Sequence, residues 1–455
     1  MLKYPIILLA VIFQMFLTVF SFAQDKPNVL LITIDSLRPD HLSCGGYDKL
    51  TSPNIDKIAR EGAFFPNAIS QGNWTSTGLV SMLTSLYPAT HGIVYGNQDQ
   101  IFGMDPAKGG DKKFIFKSPG QILKENGYLV YAISYFYQNT GFEKSAKNIF
   151  DTIDECKDKK FFIWYHITRV HPPYNPPAPY NTMFLPDKFL ATKDTLSKLG
   201  VVKTHSIICS TAFHEKLDKA FGGSVTALDF TDEDKVILRA FYDEKLKWAD
   251  DEVGDILKKM EDLKLSDNTI IVLSTDHGEE LLERNHLSHA SDSLEGSLYD
   301  ELIKIPIVIR YPRKIPQNAV LDNQAQQVDI MPTIFDIIGL DIPKEFQGKS
   351  LLRLLQGKTP SFYEDAFSMG PPCGHHGYHA VPNDKRMIYS VREARYKFIW
   401  NYSPEEDRYE IYDLEKDPME LRNIGNVDAA LFGRLKSKLK THLDTYQILK
   451  ERLFQ

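Results

Sequence analysis

The segment NVLLITID, residues 28–35, is a nearly continuous apolar run that ends in an aspartate. Such a run predicts a strand buried on both faces, as in a parallel sheet covered by helices. Three later segments have the same character: FFIWYH at 161–166, TIIVLST at 269–275 and IPIVIR at 305–310. Residues 28–35 are therefore expected to form one strand of a buried sheet.

Helical patterns lie between these runs. PNIDKIAREG at 53–62 predicts a short helix that ends at a glycine. A longer pattern runs from about Asp232 to Leu263, and Thr231 with Asp234 has the spacing of a capping box at its start. Strands that alternate with helices predict an α/β fold, with a mostly parallel central sheet flanked by helices.

The 455 residues divide into two predicted domains. Residues 24–340 carry the alternation of strands and helices and form the expected α/β domain. Residues 341–455 contain short strand patterns and a helical tail, which predict a small α+β domain. Within the first domain, five prolines in HPPYNPPAPY at 171–180 predict an extended loop, and residues 181–230 are expected to form an insertion or lid.

The overall composition is that of a globular protein, with 43% apolar and 25% charged residues. The 53 basic and 60 acidic residues give a net charge of −7, so no nucleic-acid partner is expected. The four cysteines form no C-x-x-C pair, which argues against a thiolate zinc site and against a dense disulfide framework.

The N-terminal residues 1–23 have the pattern of a secretory signal peptide. Lys3 precedes an apolar stretch, and Ser21 and Ala23 are small residues suited to a cleavage site. The alternative is a retained transmembrane anchor, because the apolar stretch is almost long enough to span a bilayer. We expect an exported protein, periplasmic or extracellular, without a stable membrane anchor after cleavage.

Two carboxylates emerge from predicted buried strands. Asp35 follows the first strand, and Asp276 with His277 follows TIIVLST. Carboxylate and imidazole groups are ligands for zinc, manganese or, with further oxygens, calcium. The alternatives are a helix N-cap for Asp35 and a turn with a hydrogen-bonded imidazole for His277.

Thr75, Ser76 and Thr77 open a helical pattern, so a hydroxyl nucleophile could lie beside an anion bound at a helix N-terminus. Simple N-capping by Thr75 or Ser76 is the alternative. His171 and His289 could each bind an anion or protonate a leaving oxygen. Structural or surface roles are open for both.

The order of motifs resembles the sulfatase family of the alkaline-phosphatase-like superfamily over nearly all of the chain after residue 23. The segments that carry the resemblance are KPNVLLITIDSLRPDHL at 26–42, SPNIDKIAREGAFFPNA at 52–68, SMLTSLYPATHGI at 81–93, VHPPYNPPAPY at 170–180, IIVLSTDHGEEL at 270–281 and YEIYDLEKDPMELRN at 409–423. The resemblance implies the α/β sheet fold and a metal-dependent ester hydrolase.

The resemblance also implies roles for individual residues. One divalent metal (zinc, manganese or calcium) would be held by Asp35, Thr75, Asp276 and His277. The position of the family's nucleophile falls on Thr75. The family's C/S-x-P-x-R motif, whose Cys or Ser becomes formylglycine, is absent, because Thr77 and Leu79 replace its Pro and Arg. Formylglycine is therefore not expected.

The same resemblance suggests how a substrate would be bound. His171 would bind the substrate oxyanion and His289 would protonate the leaving group, with Ser36 and Arg38 as further substrate contacts. Relatives that act on phosphoryl groups often use Thr as nucleophile, which favours phosphoric or phosphonic esters of small molecules, glycans or lipids. The alternatives are a sulfatase proper and a catalytically silent binding protein.

Overall fold

A computed structural model of the chain describes residues 26–94, 117–134, 142–186, 208–210, 226–228, 230–284, 286–289, 297–360, 365–372, 385–425 and 428–453. The predicted signal peptide at 1–23 and most of the predicted insertion at 181–230 lie outside these ranges. Within them, no helix is both long enough and apolar enough to cross a bilayer.

The strands are numbered in chain order. They are β1 (Asn28–Ile34), β2 (Ala63–Ile69), β3 (Leu129–Ile133), β4 (Glu143–Lys144), β5 (Phe161–Ile167), β6 (Ile208–Ser210), β7 (Thr226–Leu228), β8 (Thr269–Ser274), β9 (Glu280–Leu281), β10 (Leu287–Ser288), β11 (Lys304–Arg310), β12 (Ala319–Val320), β13 (Ala325–Gln326), β14 (Asp365–Gly370), β15 (Met387–Glu393), β16 (Tyr396–Tyr402) and β17 (Arg408–Asp413).

The helices are numbered in the same way. They are α1 (Pro53–Arg60), α2 (Thr75–Thr84), α3 (Pro88–His91), α4 (Pro119–Glu125), α5 (Ile149–Cys156), α6 (Asp232–Asp262), α7 (Asp300–Ile303), α8 (Ile330–Ile338), α9 (Leu352–Leu355) and α10 (Ala429–Leu453). The predicted capping box is present at the start of α6, where Thr231 and Asp234 hydrogen-bond reciprocally.

The central sheet has the order β12-β2-β11-β8-β1-β5-β3-β4, with β13 also paired to β2. Strand β1 lies parallel to both β5 and β8. Only β11, in the described part of this sheet, runs against its neighbours β8 and β2. The prediction of a mostly parallel sheet is confirmed, and the carboxyl ends of β1, β5 and β8 share one edge.

Successive side chains of β1 point to opposite faces of the sheet, and both faces are buried. Leu30 and Ile32 join a cluster with apolar residues of α1, α5 and α6. Val29 and Leu31 join a second cluster with residues of α2, α4 and α8. This two-sided burial explains why the strand reads as an apolar run rather than as an alternating pattern.

The C-terminal part contains an antiparallel sheet in the order β14-β15-β16-β17, with α10 packed on one face. The helix contributes Leu435 and Leu439 to a cluster with Val391, Phe398 and Ile411. Residues 346–355 fall within the predicted second domain, but Phe346 and the leucines up to Leu355 pack into the core of the first domain. The packing of the large domain therefore extends beyond residue 340.

Buried charges connect the two parts. The Asp300 carboxylate in α7 lies 2.8 Å from a guanidinium nitrogen of Arg392 and 2.9 Å from Nζ of Lys397. Glu420 lies 2.8 Å from the same Nζ and accepts a hydrogen bond from the backbone N–H of Asp300. Because charges removed from water must be paired, these contacts fix the small sheet against α7.

Candidate active site

Asp35 and the pair Asp276–His277 follow neighbouring parallel strands. Thr33 of β1 lies opposite Ser274 of β8, so the two strands end side by side. One potential ligand atom from each of Asp35, Asp276 and His277 lies within 4.8 Å of the others, and all three residues are buried. The side chains that the sequence placed at two separate points thus form one cluster.

Neither of the capping alternatives is observed. The 3-10 turn after β1 begins beyond Arg38, so Asp35 does not cap it. Trp74 occupies the N-cap of α2, and Thr75 is the first residue of the helix. The Thr75 hydroxyl instead lies 3.3 Å from Nε2 of His277, which places it directly beside the cluster.

The hydrogen bonds of His277 determine its tautomer. Nδ1 lies 2.7 Å from the carbonyl oxygen of Gly278, which can only accept, so Nδ1 carries the proton. Burial lowers the pKa of His277, although Asp276 acts in the opposite direction, so the ring is neutral. Nε2 therefore presents a lone pair, which can accept from Thr75 or bind a cation.

The remaining oxygens of the cluster fit a cation site. Oδ2 of Asp276 is buried and has no hydrogen-bond partner among the described residues. Its other oxygen, Oδ1, accepts the backbone N–H of Ser36 at 3.1 Å. An orphaned carboxylate oxygen beside an imidazole lone pair and a hydroxyl is a donor set that suits zinc, manganese or calcium.

Asp35 is surrounded by imidazoles. Burial alone would raise its pKa, but His171, His166 and His277 hold the pKa well below its usual range. His166, at the end of β5, lies 3.4 Å from Oδ2 of Asp35, and this carboxylate keeps the pKa of His166 raised despite burial. Asp35 is therefore ionised, as a metal ligand must be.

The N-terminus of α2 packs very closely against the loop that carries Asp276. A Cβ atom at Gly78 would lie 2.1 Å from the backbone oxygen of Asp276, so only glycine fits there. That oxygen is itself fixed by hydrogen bonds from Ser70 (2.7 Å) and Gln327 (3.0 Å). The close approach sets the distance between Thr75 and the cluster.

Three imidazoles form a row across the site. The ring centroids of His277 and His289 are 4.5 Å apart, and those of His289 and His171 are 4.9 Å apart. The buried carboxylate of Glu279 lies 3.1 Å from Nδ1 of His289. Burial would raise the pKa of Glu279, but His289, His171 and His277 lower it, so this carboxylate is ionised and orients His289.

The two predicted substrate contacts after β1 differ in their surroundings. Ser36 adopts a left-handed conformation (φ 61°), and its hydroxyl donates to Oδ1 of Asp35 at 3.1 Å. The Arg38 guanidinium is buried and pairs with Asp40 and Glu283 at 2.7 and 2.6 Å. It also donates to the carbonyl of Glu279, so Arg38 holds the loops of the site together through protein groups.

Four further residues support the site, and no motif pointed to them: His166, Tyr242, Lys245 and Glu279. Tyr242 donates to the carbonyl of Ser36 and accepts the N–H of Arg38. Lys245 donates to the carbonyls of His171 and Pro173. His166 ends a predicted strand and Glu279 follows Asp276–His277. The only sequence signal for these two residues was their position next to predicted features.

Comparisons with known proteins identify the family to which this chain is similar. The sulfatase family model matches residues 27–154 and 142–340, and the model described as N-sulphoglucosamine sulphohydrolase, C-terminal, matches residues 295–448. The N-acetylglucosamine-6-O-sulfatase of Bacteroides thetaiotaomicron is 22% identical over 94% of this chain and 86% of its own length.

One further relative and one solved structure are also similar to this chain. The multifunctional alkaline phosphatase superfamily protein PehA of Trinickia caryophylli is 23% identical over 88% of this chain and 91% of its own length. The structure of a phosphonate monoester hydrolase from Silicibacter pomeroyi has a TM-score of 0.67 at 21% identity, covering 92% of this chain and 95% of that one. This last likeness concerns the fold. Because the family model spans most of the chain, the protein belongs to the sulfatase family and is a hydrolase that acts on ester bonds.

Proposed function

We propose that this protein is a metal-dependent hydrolase of phosphoric, phosphonic or sulfuric esters, with Thr75 as the nucleophile. The observation that carries the proposal is the position of the Thr75 hydroxyl, 3.3 Å from Nε2 of His277 at the edge of the cluster with Asp35 and Asp276. A hydroxyl at the N-terminus of a helix, beside a cation site, is well placed to attack the phosphorus or sulfur atom of an anionic ester held there.

Asp35, Thr75, Asp276 and His277 would hold one divalent cation, with zinc, manganese and calcium as the candidates. When bound, the cation would lower the pKa of the Thr75 hydroxyl and offset negative charge on the transferred group. Residue 75 is neither Cys nor Ser, so we propose a chemistry without formylglycine.

In the first step Thr75 would lose its proton to solvent, and Oγ1 would form a bond to phosphorus or sulfur while the bond to the leaving oxygen breaks. His289, held through Nδ1 by Glu279, would give the leaving oxygen its proton. His171 would bind a non-bridging oxygen, and the hydroxyl of Ser36 would keep Asp35 in place. Water would then hydrolyse the covalent ester on Thr75.

A cavity between the two domains would take the organic part of a substrate, because its lining residue Ser297 accepts a hydrogen bond from Asn73, two residues before Thr75. It has a volume of about 760 Å³ and lies between His286 and residues 297–299 on one side and the C-terminal sheet on the other. Arg386, Asn401, Tyr402 and Arg408 line it, together with the carboxylates of Glu406 and Glu410. Aromatic rings with amide and guanidinium donors suit a small-molecule or glycan ester better than a lipid chain, and we propose those two substrate classes.

A sulfatase proper is the second candidate, and the sulfatase family match supports it. Threonine in place of Cys or Ser favours phosphorus over sulfur, because no formylglycine can form from it. Purified protein that turned over 4-nitrophenyl sulfate but no phosphate or phosphonate ester would reverse that order. A metal-loaded protein that turned over no ester would support the silent binding protein.

The nucleophile is tested by three variants assayed with each metal on 4-nitrophenyl phosphate, phosphonate and sulfate esters. Thr75→Ala should lose activity by at least about 10³-fold, as removal of a nucleophile does. Thr75→Ser should keep part of it, because the hydroxyl remains. Ser76→Ala, at the neighbouring hydroxyl, should leave turnover unchanged, and full activity of Thr75→Ala would refute the proposal.

A further inference from the structure

Lys245 is a buried lysine in the middle of α6, facing the loop that carries His171. Only 4% of the surface of Lys245 is exposed to solvent. Nζ donates hydrogen bonds to the carbonyl oxygens of His171 and Pro173, the latter at 2.7 Å. The lysine therefore ties the start of the Pro-rich loop to helix α6.

Within the described parts of the chain, no carboxylate lies within ion-pair distance of Nζ of Lys245. Buried ammonium groups are normally paired, because an isolated charge in a protein interior is costly. The two carbonyl dipoles orient this ammonium, but they do not cancel its charge. Burial lowers the pKa of Lys245 to about 8, while Asp35 and Glu279 act in the opposite direction.

The hydrogen bond to the His171 carbonyl places Lys245 beside the row of imidazoles, in which the His171 and His289 ring centroids are 4.9 Å apart. Asp35, Asp276 and Glu279 contribute three buried carboxylates, and a substrate would bring further negative charge. A divalent cation offsets only two of these charges. A positive group beside the oxyanion-binding His171 would therefore favour entry and retention of an anion.

We propose that Lys245 is a positioning residue that fixes His171 and supplies positive charge to the oxyanion subsite. This inference rests on the proposed function, since it assumes that His171 faces the anionic group of the substrate. It adds a residue from α6, far in sequence from every motif of the site. If Lys245 only held the Pro-rich loop in place, its hydrogen bonds would be needed but its positive charge would not.

Variants that separate charge from hydrogen bonding test the proposal. Lys245→Gln keeps two N–H donors and removes the charge, Lys245→Met removes both, and Lys245→Arg keeps the charge. Lys258→Met is the control, because Lys258 lies on the exposed face of the same helix, paired with Asp262. Inorganic phosphate and sulfate serve as probes, with affinities measured by calorimetry on the full-length, metal-loaded protein.

The uncharged variants should bind both anions about 10- to 100-fold more weakly, as expected for the loss of a charged partner. Lys245→Arg and Lys258→Met should bind them like the wild type. Circular dichroism shows whether Lys245→Gln and Lys245→Met are folded. The anion affinity of either folded variant, compared with that of the wild type, decides the test. Wild-type affinity in a folded uncharged variant, equal losses for Gln and Arg, or no anion binding by the wild type would each overturn the inference.

Turnover separates this inference from the proposed function. If the wild type binds phosphate in a charge-dependent manner but hydrolyses no ester, the proposed function fails and the role of Lys245 stands. If the wild type hydrolyses esters and Lys245→Gln shows unchanged anion affinity and an unchanged KM, the inference alone fails.

Discussion

Gly78→Ala changes the distance between α2 and the loop of Asp276 by the addition of one methyl group. The added Cβ would meet the backbone oxygen of Asp276 at 2.1 Å, about 1.3 Å short of an ordinary contact. The oxygen cannot retreat freely, because Ser70 and Gln327 both donate to it. The N-terminus of α2 must therefore move outward and carry Thr75 away from His277.

The size of the effect follows from this overlap. Overpacking of a buried site costs about 1–3 kcal/mol of unfolding free energy. A displacement of about 1 Å at a nucleophile can cost about 100-fold in turnover. We expect Gly78→Ala to fold, to unfold at lower denaturant concentration, and to lose about 100-fold in kcat with the best ester substrate.

Gly433→Ala is the matched control. Gly433 lies in α10, and nothing stands within 4 Å of where its Cβ would be. Alanine should stabilise that helix by up to about 1 kcal/mol and leave turnover unchanged. If Gly78→Ala matched the wild type in both urea unfolding and kcat, the close packing of α2 against Asp276 would not position the nucleophile.

The C-terminal helix, the charges between the domains and the cluster of Asp35, Asp276 and His277 each allow a direct test. Burial lowers the pKa of His442 from 6.5 to about 3, so the unfolded chain binds the proton more readily between these pH values. The unfolding free energy should therefore fall as pH falls below 6.5, by at most about 1.4 kcal/mol per unit, and His442→Phe should remove that part of the slope in urea titrations. Lys397→Met should lower the free energy of unfolding by about 3–5 kcal/mol, because Asp300 and Glu420 lose the ammonium group between them. Lys416→Met, at an exposed position, should change it by no more than about 0.5 kcal/mol. Equal losses in the two variants would contradict the role of these ion pairs. Zinc, manganese or calcium added to chelator-treated protein should raise Tm, corresponding to about 2.7 kcal/mol at 100 times the Kd, and an equal rise in Asp276→Asn would argue against the cluster as the binding site.

The positions of the strands and the order of the motifs could be predicted from the sequence, because each depends on a local pattern of residues. The apolar runs at 28–35 and 269–275 predicted two buried strands, and the parallel register of β1 and β8 then brings Asp35 and Asp276 together. The direction of β11 was not readable, since an apolar run has the same pattern in either orientation.

Supporting residues escaped prediction for a different reason. Lys245 lies on a helix with many charged side chains, and only the packing of α6 under the His171 loop separates it from an ordinary surface lysine. The packing of residues 346–355 was not readable for the same reason. Phe346 has no local signal that assigns it to the first core, because its partners come from α8 and other distant elements.

The ion pairs between Asp300 and Lys397 also bear on how the two domains can be recombined. The C-terminal family model begins at residue 295 and the sulfatase family model ends at residue 340, so Asp300 falls in a stretch that belongs to both. A chimera joined at 340 would combine an acid from one parent with bases from the other. A junction placed before Asp300 would instead keep this acid and its bases Arg392 and Lys397 on the same parental segment, so that the buried ion pairs are inherited together.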